Sequence, residues 1–259
     1  IKAAEFAYSQ GGSIVLEKFA FNEYSGETKE GEENTASLAD TLRDIIMENG
    51  FRAKKVYLSL SGQNAFIRFV KVPAMSDDQQ KIRQILEFEA RQNIPFPMNE
   101  VVWDSQIIKN NDESGAGEIE AMFVTVKNEE IEKITSVMEE VGKEVVLVEV
   151  APTACYNAAV ENGVGEKECE MILNIGGRCS TLVFIDNGRF FVRTIPIAGN
   201  SVTQQISKEF GISFADAEVL KRRHGFVALG GAYEEPESEV AATVSKIVRN
   251  VMTRLHGEI

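Results

Sequence analysis

The chain has 259 residues, 44% hydrophobic and 26% charged, with a formal net charge of −13. This is globular usage, long enough for one large domain or two ordinary ones, and it excludes a disordered or collagen-like chain. An acidic surface repels phosphate backbones, and no apolar run approaches the ~18 residues that span a bilayer, so generic nucleic-acid binding and membrane spanning are not expected.

Residues 2–8 and 13–24 read as strands joined by a turn at Gln10-Gly11-Gly12. A Gly/Glu-rich loop, 25–34, precedes a helix over 35–49 with apolar Leu38, Leu42, Ile45 and Ile46. Val56–Leu60 is a short buried strand ending at Ser61-Gly62. Ala65–Val72 alternates as a strand, and Ser76-Asp77-Asp78-Gln79 fits a capping box for the next helix. Ile94-Pro95-Phe96-Pro97 stops that helix, since neither proline can donate to it. Val101–Ile108 and Ile119–Val126 are strands around a polar loop, Asn110–Gly117. Asn128 is placed to cap helix 129–141, and Val145–Val150 is a further strand. The order over 65–150, strand-helix-strand-strand-helix-strand, is the ferredoxin-like βαββαβ arrangement.

Pro152 suits the first turn of a helix over 152–162. Met171–Ile175, Ser180–Asp186 and Arg189–Pro196 read as strands, the last two joined at Asp186-Asn187-Gly188. Helices follow over 201–210, over 214–224 behind a capping box at Ser213–Asp216, and over 237–256, with a Gly/Glu/Pro loop at 225–236. The last carries Val240, Val244, Ile247, Val248, Val251 and Leu255 as a core-facing stripe.

The two ends of the chain share an order of elements. Laying the turn at 10–12 on the turn at 186–188 aligns strand 2–8 with 180–186 and helix 35–49 with 201–210. In this register the opening strand and glycine turn of the first copy are expected before Ile1, and closing elements of the second copy are expected beyond the last helix. The second copy keeps its glycine turn, Asn174-Ile175-Gly176-Gly177-Arg178-Cys179-Ser180-Thr181. Paired glycines let a backbone approach a phosphate, and Ser180 and Thr181 could add hydroxyl donors. A plain hairpin turn reads equally well from these residues. The cysteines, Cys155, Cys169 and Cys179, have no disulfide or metal spacing, and two histidines, His224 and His256, leave little material for a metal site.

Several stretches together carry a resemblance: Leu58-Ser59-Leu60-Ser61-Gly62, Val72–Ser76, Glu87–Pro97, Val101-Val102-Trp103-Asp104, Asn174–Gly177, Ile195–Asn200 and Ala217–Lys221. They resemble the actin-like superfamily, and within it the PilM family of type IV pilus and type II secretion machines, with FtsA of cell division behind it. The stretch into Ile94-Pro95-Phe96 is the most specific, similar to the family signature in which glutamates lead into Ile-Pro-Phe.

The resemblance implies an α/β, actin-like fold of two RNase-H-like halves with an inserted ferredoxin-like βαββαβ subdomain. Residues 1–64 and 151–168 would form the first half, 65–150 the insert, 169–212 the second half and 213–259 its helical part. It implies a nucleotide cleft taking ATP or ADP, with Mg²⁺ a possible companion. Asn174, Gly176, Gly177, Arg178, Ser180 and Thr181 would lie on its phosphate loop, Gly199, Asn200 and Thr203 at the adjoining helix start, and Glu218 and Lys221 at the ribose and base. Glu218 and Lys221 also suit a plain i, i+3 ion pair, and Gly199–Thr203 ordinary helix capping. Asn174 stands where the family usually has Asp, and a neutral amide is a poor base and a weak cation ligand. A scaffold is therefore expected rather than an efficient ATPase.

The implied partner is the cytoplasmic N-terminal peptide of a PilN-like inner-membrane protein. Phe66, Arg68, Phe88, Arg91 and Phe96 are the candidate contacts, and the aromatics suit a core equally. The expected role is a cytoplasmic adaptor, held at the inner membrane through its partners. The alternatives are an ATPase or other actin-fold phosphotransferase and an FtsA-like filament protein.

Overall fold

The computed structural model describes residues 1–9, 11–23, 35–73, 79–108, 118–165, 169–186, 189–227 and 238–259. The acidic loop at 25–34, the capping box at Ser76, the loop Asn110–Gly117, the turn at Asn187-Gly188 and most of the loop 225–236 lie wholly or largely outside these residues. The first half begins with a hairpin, β1 (Lys2–Tyr8) and β2 (Ile14–Phe21), followed by α1 (Thr35–Glu48) and β3 (Lys55–Leu60). A 3₁₀ turn (Gly62–Asn64) leads into β4 (Ala65–Pro73), α2 (Gln79–Asn93), β5 (Val101–Ile108) and β6 (Glu118–Lys127). Then come α3 (Asn128–Glu140), β7 (Glu144–Val150) and α4 (Ala151–Glu161). The second half is β8 (Glu170–Ile175), β9 (Ser180–Asp186), β10 (Arg189–Ile195), α5 (Gly199–Phe210), α6 (Phe214–His224) and α7 (Glu239–His256).

The six-element order over 65–150 is present, but not as one sheet. Strands pair in the order β4-β6-β5, while β7 pairs in parallel with β3. The reason is packing. Helix α3 turns Val137 and Met138 onto Leu38, Ala39 and Leu42 of α1, and both helices cover Val56, Leu58 and Val145 of β3 and β7. The strand expected to close the ferredoxin-like arrangement thus pairs with β3 instead. What remains, β4–β6 with α2, has its own core: Leu86, Ala90 and Ile94 pack on Val72, Val101, Ala121 and Phe123.

Asn128 is not the cap of α3. Lys127 holds the N-cap position, and the Asn128 amide donates to Asn99 O at 2.9 Å. Ser213 does cap α6, accepting from Asp216 N at 3.1 Å. Gly211 closes α5 in the left-handed conformation, φ 63°, where glycine carries no steric penalty.

In the second half β8 and β10 flank β9. One face of this sheet meets α5 and α7 through Leu182, Ile195, Val202, Ile206, Val244 and Val251. The other meets α4 and the back of β4 through Val183, Ile185, Val192, Tyr156, Ile67 and Phe69. Tyr156 stacks on Phe190 at 4.0 Å between centroids, and Phe69 meets Phe190 at 5.9 Å. β4, α4 and β10 therefore share an aromatic seam.

Candidate functional site

Two places carry the polar and aromatic groups singled out in the sequence, and the 3₁₀ turn lies between them. Ser61 Oγ accepts from Gln63 N at 3.3 Å and starts the turn. A Cβ on Gly62 would stand 2.6 Å from Thr194 Oγ1 and 3.0 Å from Pro152 Cγ, so only glycine lets the turn sit against α4 and β10. Gln63 Nε2 donates to Arg178 O at 3.3 Å, and Ser61 Oγ lies 3.6 Å from Cys179 Sγ. Asn64 Nδ2 donates to Glu130 Oε2 at 2.6 Å.

On the insert side of the turn is an open cavity of about 360 Å³. Phe66, Phe96 and Thr125 form its inner wall, and Asn64, Lys127 and Glu130 stand among its rim residues. Pro95 and Pro97 end α2 and turn the chain back, so that Phe96 meets Phe66 edge-on, centroids 6.3 Å apart at 89°. Lys127 pairs with Glu129 at 3.1 Å. The structure thus brings together two of the five expected partner contacts. Arg68 lies two residues along β4 from Phe66, on the same sheet face and exposed. Phe88 and Arg91 sit on the exposed side of α2, away from the buried Leu86 and Ala90, and do not line the cavity. Thr125, Gln63 and Asn64 went unnoticed in the sequence, because a strand threonine and a short polar turn carry no motif.

A larger cavity, about 430 Å³, lies at Lys54, Thr135, Gly142 and Lys143, apart from both places.

The glycine loop lies on the other side of the turn. Gly176 N donates to Cys179 O at 3.1 Å, and a Cβ there would stand 2.7 Å from that carbonyl. The loop offers carbonyls, not N–H groups, to the start of α5: Gly199 N donates to Gly176 O at 3.0 Å and Asn200 N to Gly177 O at 2.7 Å. Ser180 and Thr181 are buried. They are 0% and 3% exposed, and Ser180 Oγ donates to Ile197 O at 2.6 Å. The Ser180 hydroxyl, expected as a donor at this loop, is thus engaged within the fold.

The remaining polar groups satisfy one another. Thr203 Oγ1 donates to Glu218 Oε2 at 2.6 Å, and Lys221 Nζ reaches Glu218 at 2.5 Å, Thr203 Oγ1 at 2.9 Å and Gly199 O at 3.3 Å. Arg222 adds a bond to Glu218 at 3.0 Å and one to Glu23 at 2.8 Å. Burial would raise the Glu218 pKa, but hydrogen bonds from Lys221, Thr203 and Arg222 outweigh it and hold the carboxyl at about 2. Asn174, Gly176, Gly177 and Arg178 stay exposed. Of the loop residues expected to meet a nucleotide, these four lie open at its edge. The Glu218 carboxylate, which the sequence placed at the ribose and base, is engaged by two cations.

The solved structure described as a PilM–PilN type IV pilus biogenesis complex matches with TM-score 0.79 and 22% identity, covering 99% of this chain and 71% of that one. The fold is therefore the actin-like one. FtsA of Escherichia coli K12 is 29% identical over 141 residues, 53% of this chain and 33% of that protein. FtsA of Bacillus subtilis 168 is 25% identical over 210 residues, 73% of this chain and 46% of that protein. The chain thus spans a third to just under half the length of these curated relatives. The model of the family described as type IV pilus assembly protein PilM matches residues 1–246. The chain belongs to that family.

Proposed function

We propose that this chain is an adaptor of a type IV pilus or type II secretion inner-membrane platform, and that it holds the cytoplasmic N-terminal peptide of a PilN-type membrane protein. The observation that carries this is the cavity walled by Phe66 and Phe96, where the insert meets the 3₁₀ turn and α3. Paired aromatic rings beside hydrogen-bonding groups suit a short segment with an apolar anchor. The similar solved structure is a complex of PilM with PilN, which supports the choice of partner. Among the described residues no helix is long and apolar enough to cross a membrane; binding to the partner would itself bring the chain to the inner membrane.

Titrating a synthetic PilN-type N-terminal peptide by calorimetry tests the reading. Micromolar binding is expected, with Phe66→Ala and Phe96→Ala each weakening it at least about tenfold. No heat at high micromolar peptide overturns it. Nucleotide is the accompanying proposal: ATP or ADP would meet Asn174, Gly176, Gly177 and Arg178 at the exposed loop edge, as a structural ligand rather than a substrate. Tight packing of the loop carbonyls on α5 favours that weaker role over an ATPase or phosphotransferase. The FtsA-like filament reading is supported by the FtsA relatives alone.

A further inference from the structure

Thr125 is 2% exposed, and among the described residues its Oγ1 is the buried side-chain oxygen that makes no hydrogen bond. It lies in the cavity wall beside Phe66, its direct partner across β4 and β6. Toward the centre of the sheet the same face of β6 continues with Phe123 and Ala121, both apolar and packed under α2. Valine has the shape of threonine without a buried group to satisfy, so a strand serving packing alone would be better off with it. The one hydroxyl on this row stands where α2 has ended and the cavity begins. Resting on the partner-peptide reading, we infer that the Thr125 hydroxyl selects the partner segment. It accepts or donates one hydrogen bond to an uncharged polar side chain whose body lies against Phe66 and Phe96.

The rim argues for an uncharged group. Glu129 is paired with Lys127 and Glu130 takes the Asn64 amide, so the residues that line the cavity bring two carboxylates and one ammonium. A partner carboxylate meets net repulsion there, while a cation would be retained by the rim and not carried to the hydroxyl. An amide or hydroxyl enters without a charge to desolvate, and fills a bond the free chain leaves open.

The inference makes two quantities move in opposite directions. Thr125→Val removes an unsatisfied group from the free chain, so its melting temperature should stay level or rise. The same change should weaken the PilN-type peptide at least about tenfold, while Thr125→Ser, which keeps the hydroxyl, should stay within a few-fold of the parent. In a scan of the peptide, replacing each uncharged polar residue by an apolar one of similar size, one position should lose its effect in the Thr125→Val background. If the parent chain does not bind the peptide, the partner reading falls and this inference with it. If the parent binds and Thr125→Val binds equally well, Thr125 selects nothing and the partner reading stands. If Thr125→Val lowers both affinity and melting temperature, the hydroxyl serves packing and the inference is overturned.

Discussion

Glu218 shows how one carboxylate can be spent on structure. Its oxygens take Lys221, Thr203 and Arg222, and the group sits at about 2 against an ordinary value of 4.5. A lowered folded-state pKa stabilises the fold at every pH above the unfolded value. That stability is lost as pH falls from about 4.5 to about 2. Glu218→Gln should therefore cost roughly 1–3 kcal/mol at neutral pH, measured by urea unfolding. The gap to the parent should shrink through the same window and vanish near its lower end, where both side chains are neutral. A cost independent of pH would show that packing, and not charge, holds the α5–α6 corner. The pair was legible as Glu-x-x-Lys spacing. The third member, Thr203, was not, because it reaches the pair only after α5 and α6 fold against each other.

At the scale of elements, the strand and helix sequence was legible almost throughout, since hydrophobic period and Pro/Gly punctuation act over a few residues. Pairing was not. The string over 65–150 suits one ferredoxin-like sheet, and the chain instead splits it, giving β7 to β3. Both strands are short apolar runs, and nothing within either specifies which parallel neighbour it takes. That choice is made by α3, whose Val137 and Met138 find α1. Asn128 shows the same limit at a helix end: the residue type suits a cap, but its amide is claimed by Asn99 O from a distant turn. The glycine loop was legible as a loop and not in its orientation. Glycine admits backbone conformations that aim either its N–H or its carbonyl at a neighbour, and here the carbonyls of Gly176 and Gly177 face α5.

At the scale of the whole molecule the two halves differ in how their sheets are covered. The second-half sheet has helices on both faces. In the first half, one face of the β1–β2 hairpin carries Phe6, Tyr8, Ile14, Leu16, Phe19 and Phe21, all more than half exposed. Two opposing forces then act between copies of the chain. A net charge of −13 repels, over about 30 Å at 0.01 M salt but only ~3 Å at 1 M. The apolar face attracts, and salt does not screen that attraction. At low salt the repulsion reaches well beyond contact distance and should keep the isolated chain monomeric. At about 0.5 M sodium chloride the face should dominate, and sedimentation velocity should show a weight-average coefficient rising with protein concentration. Phe19→Ser with Phe21→Ser should abolish that rise without unfolding the chain, since both rings already lie largely in solvent. Association that weakens as salt is added would mean that charged pairs, and not this face, bring copies together.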